Sequence, residues 1–313
     1  MSDNNSKLTL LIDTDPGVDD ALALMMAHRY ADVVGLTIAA GNVGLGHTVR
    51  NALKLCEMGG WSTPVYPGCP EPMLHPAPDA AFVHGQDGFG DVGYLPPTAQ
   101  ARTEHAALAI IREAKTRPGE LTLVALGPLT NVALALQLEP ELPSLFKRLL
   151  IMGGAVTGRG NTHRVPAEFN IGFDPEAAAV VFSRWPEFDL VDWEATVRHA
   201  IPYPSMDRWL DTDHPLTSFY GAISGTARRF TKDHGRAGFL AADALAMAIV
   251  LRPELVERME RHHVAVETAG EHCRGATVVD WEDRLGRKPN ASIVLSIDQG
   301  GFEDLLASTL EAG

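Results

Sequence analysis

The sequence has few cysteines, few aromatic residues and no basic stretch. Its 313 residues include three cysteines, Cys56, Cys69 and Cys273, and aromatic side chains make up 7% of the chain. An odd number of cysteines without a CxxC spacing argues against a disulfide scaffold or a zinc site and is typical of a reducing cytoplasm. The net charge is −14 without any basic run, so we expect neither a nucleic acid nor a membrane surface as partner.

Long hydrophobic runs are also missing. One of the longest, LAADALAMAIVL at 240–251, is too short and too polar to cross a bilayer. The N-terminal stretch MSDNNSKLTLLIDTD lacks a basic segment followed by a long apolar one, so we expect no signal peptide. With 45% hydrophobic and 21% charged residues, the composition predicts a soluble globular protein, and we expect a cytoplasmic location.

Short apolar segments alternate with helical patterns through the first two thirds of the chain. Predicted strands lie at 8–12, 33–38, 121–126, 148–154 and 188–193, and predicted helices at 19–29, 47–58, 106–115, 130–138 and 174–183. Beyond residue 200 the pattern becomes more helical, with late strands at ATVVDW and ASIVLSI. We therefore predict one domain over residues 1–313: an open, mostly parallel α/β sheet flanked by helices, with a helical C-terminal part and late edge strands.

Polar and glycine-rich segments follow several of these strands. They lie at 13–20, 39–42, 125–131 and 152–155. Ligands of open α/β sheets bind beyond the carboxyl ends of the strands. The sequence therefore predicts one site assembled from these loops.

The first of these segments contains Asp13, Asp15, Asp19 and Asp20 within eight residues. Helix capping, with Asp15 as N-cap and Pro16 at the first helical position, accounts for one or two of these acids. Four clustered carboxylates repel one another, which favours a bound divalent cation. Ligands that are all oxygen indicate Ca²⁺ or Mg²⁺, although the spacing does not fit an EF-hand. A Mg²⁺-dependent DxD phosphatase with Asp13 as nucleophile is a weaker alternative.

The motif DTDPGVDDALAL closely resembles the signature of the inosine–uridine-preferring nucleoside hydrolase family. Further matching segments, in the family's order, are AAGN, HGQDGFG, ALGPLTNVALAL, AEFNIGFDPEAA and ADALAMAIVLRPEL. The resemblance covers nearly the whole chain. It implies a Ca²⁺-dependent enzyme of purine or pyrimidine salvage that hydrolyses ribonucleosides to free base and ribose, and it implies a homodimer or homotetramer.

The resemblance also implies roles for individual residues. Asp15 would bind Ca²⁺ and act as general base, and Asp20, Asp243 and the Leu126 carbonyl would complete the metal ligands. Asp19 would hydrogen-bond the ribose hydroxyls, and Asp13 would support the site from outside. The remaining positions that match substrate contacts are His84, near sugar and base, and the ribose-binding Asn42, Asn161, Glu168 and Asn170.

One position departs from the family pattern. The best-known members carry a histidine just before the last metal-binding aspartate, where it is taken as the acid that protonates the leaving base, and this chain has Ala242 there. The segment 223–243 resembles the family's mobile lid, and within it we assign His234 as the replacement acid. Trp193, Trp209 and Trp281 are candidates for stacking on a base. An alternative function is therefore a catalytically weakened protein that binds nucleosides or ribose.

Overall fold

The computed structural model of the protein describes residues 8–311, which form one nine-stranded sheet flanked by helices. The strands are β1 Thr9–Thr14, β2 Asp32–Ile38, β3 Val65–Pro67, β4 Thr122–Ala125, β5 Arg148–Met152, β6 Phe188–Val191, β7 Val256–Val266, β8 Thr277–Asp280 and β9 Ala291–Ile297. Their order is β3-β2-β1-β4-β5-β6-β9-β7-β8. All pairings are parallel except those of β7, which is antiparallel to β8 and β9. The predicted fold class is confirmed.

Helices cover both faces of this sheet. They are α1 Val18–Tyr30, α2 Leu45–Gly59, α3 Ala81–His84, α4 Ala106–Thr116, α5 Thr130–Leu138, α6 Leu142–Leu145, α7 Phe169–Phe173, α8 Pro175–Arg184, α9 Trp193–Arg198, α10 Tyr203–Trp209, α11 Pro215–Asp233, α12 Ala242–Leu251 and α13 Gln299–Glu311. None of the helices in the part of the chain that the structure describes is long and apolar enough to cross a membrane.

Strand β1 is buried on both faces, which explains its continuous apolar sequence. Successive side chains of a strand point to opposite faces. Leu10 and Ile12 accordingly pack in the cluster that contains residues of α1 and α12, whereas Leu11 packs with residues of α4 and α5. A parallel sheet covered by helices on both sides requires this pattern.

Helices α1 and α12 pack against each other and set the position of the acidic residues. Every residue of α12 from Ala242 to Val250 is buried, as are nearly all residues of α1 between Val18 and Ala27. Asp19 and Asp20 lie in the first turn of α1, and Asp243 lies in the first turn of α12. Burial of the two helices therefore fixes where their acidic first turns lie.

The start of α1 agrees with the predicted helix to within one residue and excludes the alternative interpretation of Asp15 as a helix cap. The helix begins at Val18 with Gly17 as its N-cap, so Asp15 is not the N-cap and Pro16 is not the first helical residue. The Asp15 carboxylate instead accepts a hydrogen bond from the backbone N–H of Asn42 at 2.7 Å. At α8, by contrast, the side chain of Asp174 caps the helix by accepting a hydrogen bond from the backbone N–H of Ala177.

Several elements of the described chain lie where no helix or strand was predicted, among them β3, β7, α3 and α13. Strand β7, VERMERHHVAV, is largely exposed along its first half and carries charged residues on both faces, so the alternation that identifies a strand is lost. β3 has only three residues. The prediction that no signal peptide is present falls largely on residues 1–7, which lie outside the described residues.

Candidate active site

A cavity of about 300 Å³ lies beyond the carboxyl ends of the central strands. Nine of the predicted site residues line it: Asp19, Asn42, His84, Leu126, Asn161, Glu168, Asn170, His234 and Asp243. The two others, Asp15 and Asp20, are buried with 1% and 0% exposure and do not contribute to its lining. The fold thus gathers residues from seven separate segments of the chain around one cavity.

The carboxylates of Asp19, Asp20 and Asp243 form a tight cluster. One oxygen from each lies within 4.8 Å of the others, and all three belong to helix N-termini, where the helix dipole favours negative charge. Burial, and then mutual repulsion, raises the pKa of Asp20 and of Asp243, and burial raises the pKa of Asp19 to about 6. This all-oxygen cluster could hold a divalent cation, which would relieve the repulsion.

Asp15 lies beside this cluster and has an unused oxygen. Its Oδ2 accepts from the Asn42 amide, while its buried Oδ1 has no hydrogen-bond partner among the described residues. A Cβ atom at Gly41 or Gly127 would lie 2.1 or 2.3 Å from the Asp15 carboxylate, so only glycine lets these two loops approach it. Burial raises the pKa of Asp15 well above its usual range, followed by the charge of Asp20. An unpartnered carboxylate oxygen in this position fits a metal ligand. Asp15, Asp19, Asp20 and Asp243 are called the acidic floor below.

Hydrogen bonds hold the acidic floor in place. The Thr14 hydroxyl and the backbone N–H of Gly17 donate to Asp20. The side-chain nitrogen of Asn42 donates to Asp20 Oδ2 at 3.0 Å and to the Asp15 carbonyl at 3.1 Å. The amide nitrogen of Asn42 therefore serves the acidic residues, and its Oδ1 is left for a ligand in the cavity.

Leu126, Glu168 and Asn170 connect the loops after β4 and β5. The Leu126 carbonyl accepts from Asn170 Nδ2 at 2.7 Å and keeps a second lone pair for another partner. Glu168 caps α7 and accepts from the backbone N–H groups of Asn170, Ile171 and Gly154 at 2.9, 3.1 and 2.9 Å. Burial raises its pKa to about 7. Glu168 is thus a cap of α7 that also lines the cavity.

His84 is held in a defined tautomer. Its Nδ1 accepts a hydrogen bond from the backbone N–H of Val18 at 3.1 Å, so a neutral ring carries its proton on Nε2. Burial lowers the pKa of His84 to about 4, partly opposed by the charge of Asp20. His84 is therefore a neutral hydrogen-bond donor in the cavity wall.

Asp13 is fully buried and does not line the cavity. Its Oδ1 accepts from Thr37 Oγ1 at 2.6 Å and from Asn131 Nδ2 at 3.0 Å, which ties β1 to β2 and α5. This position agrees with a supporting residue. A phosphatase nucleophile must reach its substrate, so the structure does not support the DxD phosphatase alternative.

Aromatic side chains surround the outer part of the cavity. Phe82 lies edge-on to Phe230 at 5.7 Å between ring centroids, and Phe230 contacts the ring of His234 at 4.1 Å. His234 is exposed, and its Nδ1 is 2.8 Å from the Phe230 carbonyl. These three residues are called the aromatic rim below. Phe82 and Phe230 were missed in the sequence because nothing local marks them as site residues.

The three tryptophans differ in position. Trp193 lines the cavity and stays a candidate for base stacking. Trp209 is buried in the core, and Trp281 follows β8, where it contacts His262, so neither can stack on a ligand in this cavity. Ala242, which replaces the expected histidine, lines the cavity and offers no polar group.

The fold and the site together define a class: an α/β enzyme with a buried carboxylate cluster under a cavity of small-molecule size. The model of the family "Inosine-uridine preferring nucleoside hydrolase" matches residues 10–304. The chain belongs to this family, and the resemblance inferred from its motifs is confirmed.

Individual relatives agree with this assignment. The non-specific ribonucleoside hydrolase RihC of Salmonella enteritidis PT4 is 38% identical over 310 residues, covering 96% of this chain and 97% of its own. Among solved structures, an inosine-guanosine nucleoside hydrolase is 32% identical with a TM-score of 0.91 and covers 97% of this chain and 99% of its own. A purine-preferring ribonucleoside hydrolase from Gardnerella vaginalis is 27% identical with a TM-score of 0.88, covering 97% of this chain and 100% of its own.

Proposed function

We propose that this protein hydrolyses the N-glycosidic bond of ribonucleosides to free base and ribose, with Ca²⁺ as cofactor and Asp15 as general base. Membership of the family gives the reaction class. The metal and the residue roles rest on the acidic floor. The observation that carries them is the convergence of three carboxylates within 4.8 Å beside the unpartnered Oδ1 of Asp15.

The proposed metal ligands are Asp15, Asp20, Asp243 and the Leu126 carbonyl. All of the ligand atoms would be oxygens. Most of the ligands would come from the protein, which suits Ca²⁺ better than Mg²⁺, because Mg²⁺ usually keeps several of its waters. When bound, such a cation lowers the pKa of a coordinated water and orients it. Asp19 belongs to the same cluster but is partly exposed to the cavity, which suits the ribose contact proposed for it.

In the proposed reaction, Asp15 removes a proton from the attacking water. The water oxygen bonds to the anomeric carbon, the carbon–nitrogen bond breaks, and the base leaves with its electron pair. The anomeric carbon gains positive charge in this step, which the nearby carboxylates favour. Asp19, Asn161 and the free oxygens of Asn42 and Asn170 would hold the ribose while His84 donates from Nε2.

Protonation of the leaving base is assigned to His234. The ring lies at the cavity with its Nδ1–H donating to the Phe230 carbonyl, so the imidazolium form would give its Nε2 proton to the base and become the neutral ring protonated on Nδ1. Ala242 supplies no proton at the position where the family's best-known members carry histidine. The rim position of His234 supports this role for nucleosides whose base lies against Phe82 and Phe230.

The test is a panel of purine and pyrimidine ribonucleosides assayed for ribose release with added Ca²⁺. We expect turnover of at least one nucleoside, loss of that turnover in excess EDTA, and recovery when Ca²⁺ is restored. Release that persists in EDTA would contradict the metal assignment. No ribose above background from any nucleoside would contradict the function.

One observation favours a second candidate, a protein that binds nucleosides without efficient turnover. Ala242 removes a proton donor while the rest of the cavity is intact. Calorimetry that detects nucleoside binding in the presence of Ca²⁺, together with no ribose release, would support this alternative over hydrolysis.

We propose a homodimer or homotetramer in the cytoplasm, with residues 1–313 acting as a single domain. The sheet supports one domain, since β9 from the end of the chain pairs directly with β6. Sedimentation velocity at micromolar concentration measures the assembly, and a monomer would contradict this proposal.

A further inference from the structure

The side chain of Asn51 in α2 is fully buried and lies outside the lining of the cavity. Its Nδ2 donates to the carbonyl of Pro16 and to the carbonyl of Asp87, each at 2.9 Å. Pro16 belongs to residues 15–17 between β1 and α1, called the β1–α1 turn, and Asp87 belongs to segment 85–94. Asn51 therefore joins two segments around the active site that are remote in the chain.

The orientation of the Asn51 amide is fixed by its oxygen. The Tyr94 hydroxyl donates to Asn51 Oδ1, so the two protons of Nδ2 are left for the two carbonyls. An amide turned by 180° would place its oxygen against both carbonyls. Each polar atom of this buried side chain thus has its partners in one orientation, and a satisfied buried network of this kind holds the joined segments rigidly.

Glycines bring segment 85–94 close to Asn51 and to His84. Gly88 has a φ of +81°, and a Cβ atom there would lie 2.8 Å from Asn51 Nδ2. Only glycine combines this backbone conformation with such a close approach. The N–H of Gly90 donates to the His84 carbonyl at 2.7 Å. A few backbone contacts therefore connect the Asn51 side chain to the backbone of His84.

The ring of His84 packs directly on the β1–α1 turn. Its Nδ1 accepts from the N–H of Val18, the first residue of α1, at 3.1 Å, and a Cβ atom at Gly17 would lie 2.6 Å from the same Nδ1. A hydrogen bond of this length weakens steeply when the donor and acceptor lose their alignment. The ring keeps its partner only while segment 85–94 stays in place against the turn.

The other side of segment 85–94 packs on α11. The rings of Phe89 and Tyr94 each lie 6.0 Å from the ring of Phe219, between centroids. Phe89 is fully buried among core residues of α1 and α11. These apolar contacts hold the segment without Asn51 but do not align it with the β1–α1 turn. We therefore expect the loss of Asn51 to shift the segment without unfolding it.

We propose that Asn51 is a positioning residue for His84. It holds segment 85–94 against the β1–α1 turn, so that His84 Nδ1 accepts from Val18 and the Nε2–H is kept in the cavity wall as a donor to the substrate. This inference rests on the proposed function, in which His84 donates from Nε2. Asn51 itself contacts neither the substrate nor the metal.

The first experiment is nitrogen NMR of the histidine rings, with Ca²⁺ added and no substrate. The signals that disappear in His84→Gln belong to His84. In the unmodified protein we expect the tautomer with the proton on Nε2, because Nδ1 is an acceptor. Asn51→Ala should give a mixture of the two tautomers. Unchanged His84 signals in this variant would overturn the proposal.

The second experiment separates substrate binding from chemistry. Asn51→Ala should raise KM for the nucleoside that is hydrolysed by about tenfold and leave kcat within about twofold, because a binding contact is lost and the acidic floor is intact. The matched control is Asn290→Ala. Asn290 is also buried, donates from Nδ2 to the Phe182 and Val264 carbonyls and accepts from the Val264 N–H, but it lies outside the cavity lining.

Thermal unfolding of the two alanine variants measures their losses of stability, which we expect to be similar because each variant removes three buried hydrogen bonds. Only Asn51→Ala should alter KM. An equal KM for Asn51→Ala and Asn290→Ala would overturn the proposal.

Tyr94→Phe tests the same contact with a smaller change. It removes the donor to Asn51 Oδ1 and keeps the ring that packs on Phe219, so this variant should fold even if Asn51→Ala does not. We expect KM to rise about threefold with kcat nearly unchanged, and a partial change of the His84 tautomer. A KM and a tautomer that are both unchanged in Tyr94→Phe would count against the proposal.

A double-mutant cycle shows whether Asn51 acts through His84. Because the proposed effect of Asn51 requires the His84 ring, adding Asn51→Ala to His84→Ala should change KM by no more than about twofold. Independent effects would instead multiply. A double variant whose KM is raised by the product of the two single effects would overturn the assignment.

A Ca²⁺ titration separates this role from an effect on the acidic floor. We expect Asn51→Ala to bind Ca²⁺ within about twofold of the unmodified protein, because Asp15 and Asp20 keep their own hydrogen bonds to other residues. A clearly weaker Ca²⁺ affinity would place the effect on the acidic floor and overturn the proposal.

Two outcomes distinguish this inference from the proposed function. A changed His84 tautomer in Asn51→Ala, in a protein that hydrolyses no nucleoside, would support the positioning role and reject the proposed function. Nucleoside hydrolysis with an unchanged His84 tautomer and an unchanged KM in Asn51→Ala would do the reverse.

Discussion

The acidic floor and the aromatic rim belong to the same cavity but are built differently. In the floor, Asp15, Asp20 and Asp243 are at most 3% exposed, and backbone amides and hydroxyls hold Asp15 and Asp20. In the rim, Phe82 is 66% exposed, and His234 is exposed with one hydrogen bond to its own helix. The floor is thus fixed by many polar contacts, and the rim by a few ring contacts.

This difference separates two tasks of the site. A developing positive charge is stabilised only by groups that are already in place, because reorganisation during the reaction costs free energy. A nucleobase can be bound by exposed rings whose contacts are not specific to one base. We therefore expect substitutions in the floor to lower kcat and those in the rim to alter KM and base preference.

The largest effect is expected for Asp15→Asn. Loss of the proposed general base should lower kcat for nucleosides on the order of 10³-fold, with little change in the folded structure. Steady-state kinetics of ribose release measure this effect, and circular dichroism checks the fold. Asp32→Asn, at an exposed aspartate of β2, is the control. Retention of a tenth of the activity by the Asp15 variant would contradict its role.

A smaller loss is expected for Gly41→Ala, which tests whether the floor requires its positions to be fixed. The new Cβ would lie 2.1 Å from the Asp15 carboxylate and must displace it. A displacement of this kind lowers activity by about 100-fold even though every catalytic group is present. Gly44→Ala, three residues along the same loop, is the control. Its new Cβ would have no other described atom within 4 Å, so we expect this variant to be active. Equal activity of the two variants would show that the floor tolerates movement.

His234→Gln tests the rim as the source of the proton. We expect kcat for nucleosides to fall about tenfold. This loss is smaller than the usual effect of removing a general acid, because solvent has access to this exposed residue. Hydrolysis of p-nitrophenyl riboside should not change, since p-nitrophenolate leaves without a proton. His272→Gln, at a histidine with an 87% exposed side chain, is the control. An equal loss on both substrates would indicate a structural effect in place of proton transfer.

The smallest effect is expected for Phe82→Ala. Loss of one exposed ring should raise KM for nucleosides about fivefold and leave kcat nearly unchanged, because aromatic contacts contribute about 1 kcal/mol. Leu95→Ala is the control, because this side chain is 79% exposed and lies outside the cavity. Its KM shows the effect of losing an exposed apolar side chain elsewhere on the surface. A large fall in kcat with unchanged KM would reverse the division of tasks between floor and rim.

The sequence predicted the floor far better than the rim. The acids between Asp13 and Asp20 are adjacent in the chain, so their crowding is visible without a fold, and Asp243 follows from the family motif. Phe82 and Phe230 are distant in the chain, and their pairing depends on α3 packing against α11. The sequence also left a helix cap open as an alternative for Asp15, because a cap and a buried carboxylate use the same local residue pattern, and the start of α1 at Val18 removes that alternative.

By itself, the sequence determined the alternation of the main strands and helices in the first two thirds of the chain, the loops that carry chemistry and the family, because periodicity and short motifs are local properties. The tertiary structure alone decided which way each polar group faces. It turned the Asn42 amide nitrogen toward the acidic floor, left Oδ1 of Asp15 without a hydrogen-bond partner among residues 8–311, and brought Phe82 next to Phe230. These features depend on the packing of segments that are remote in the chain, and no local pattern of residues encodes them.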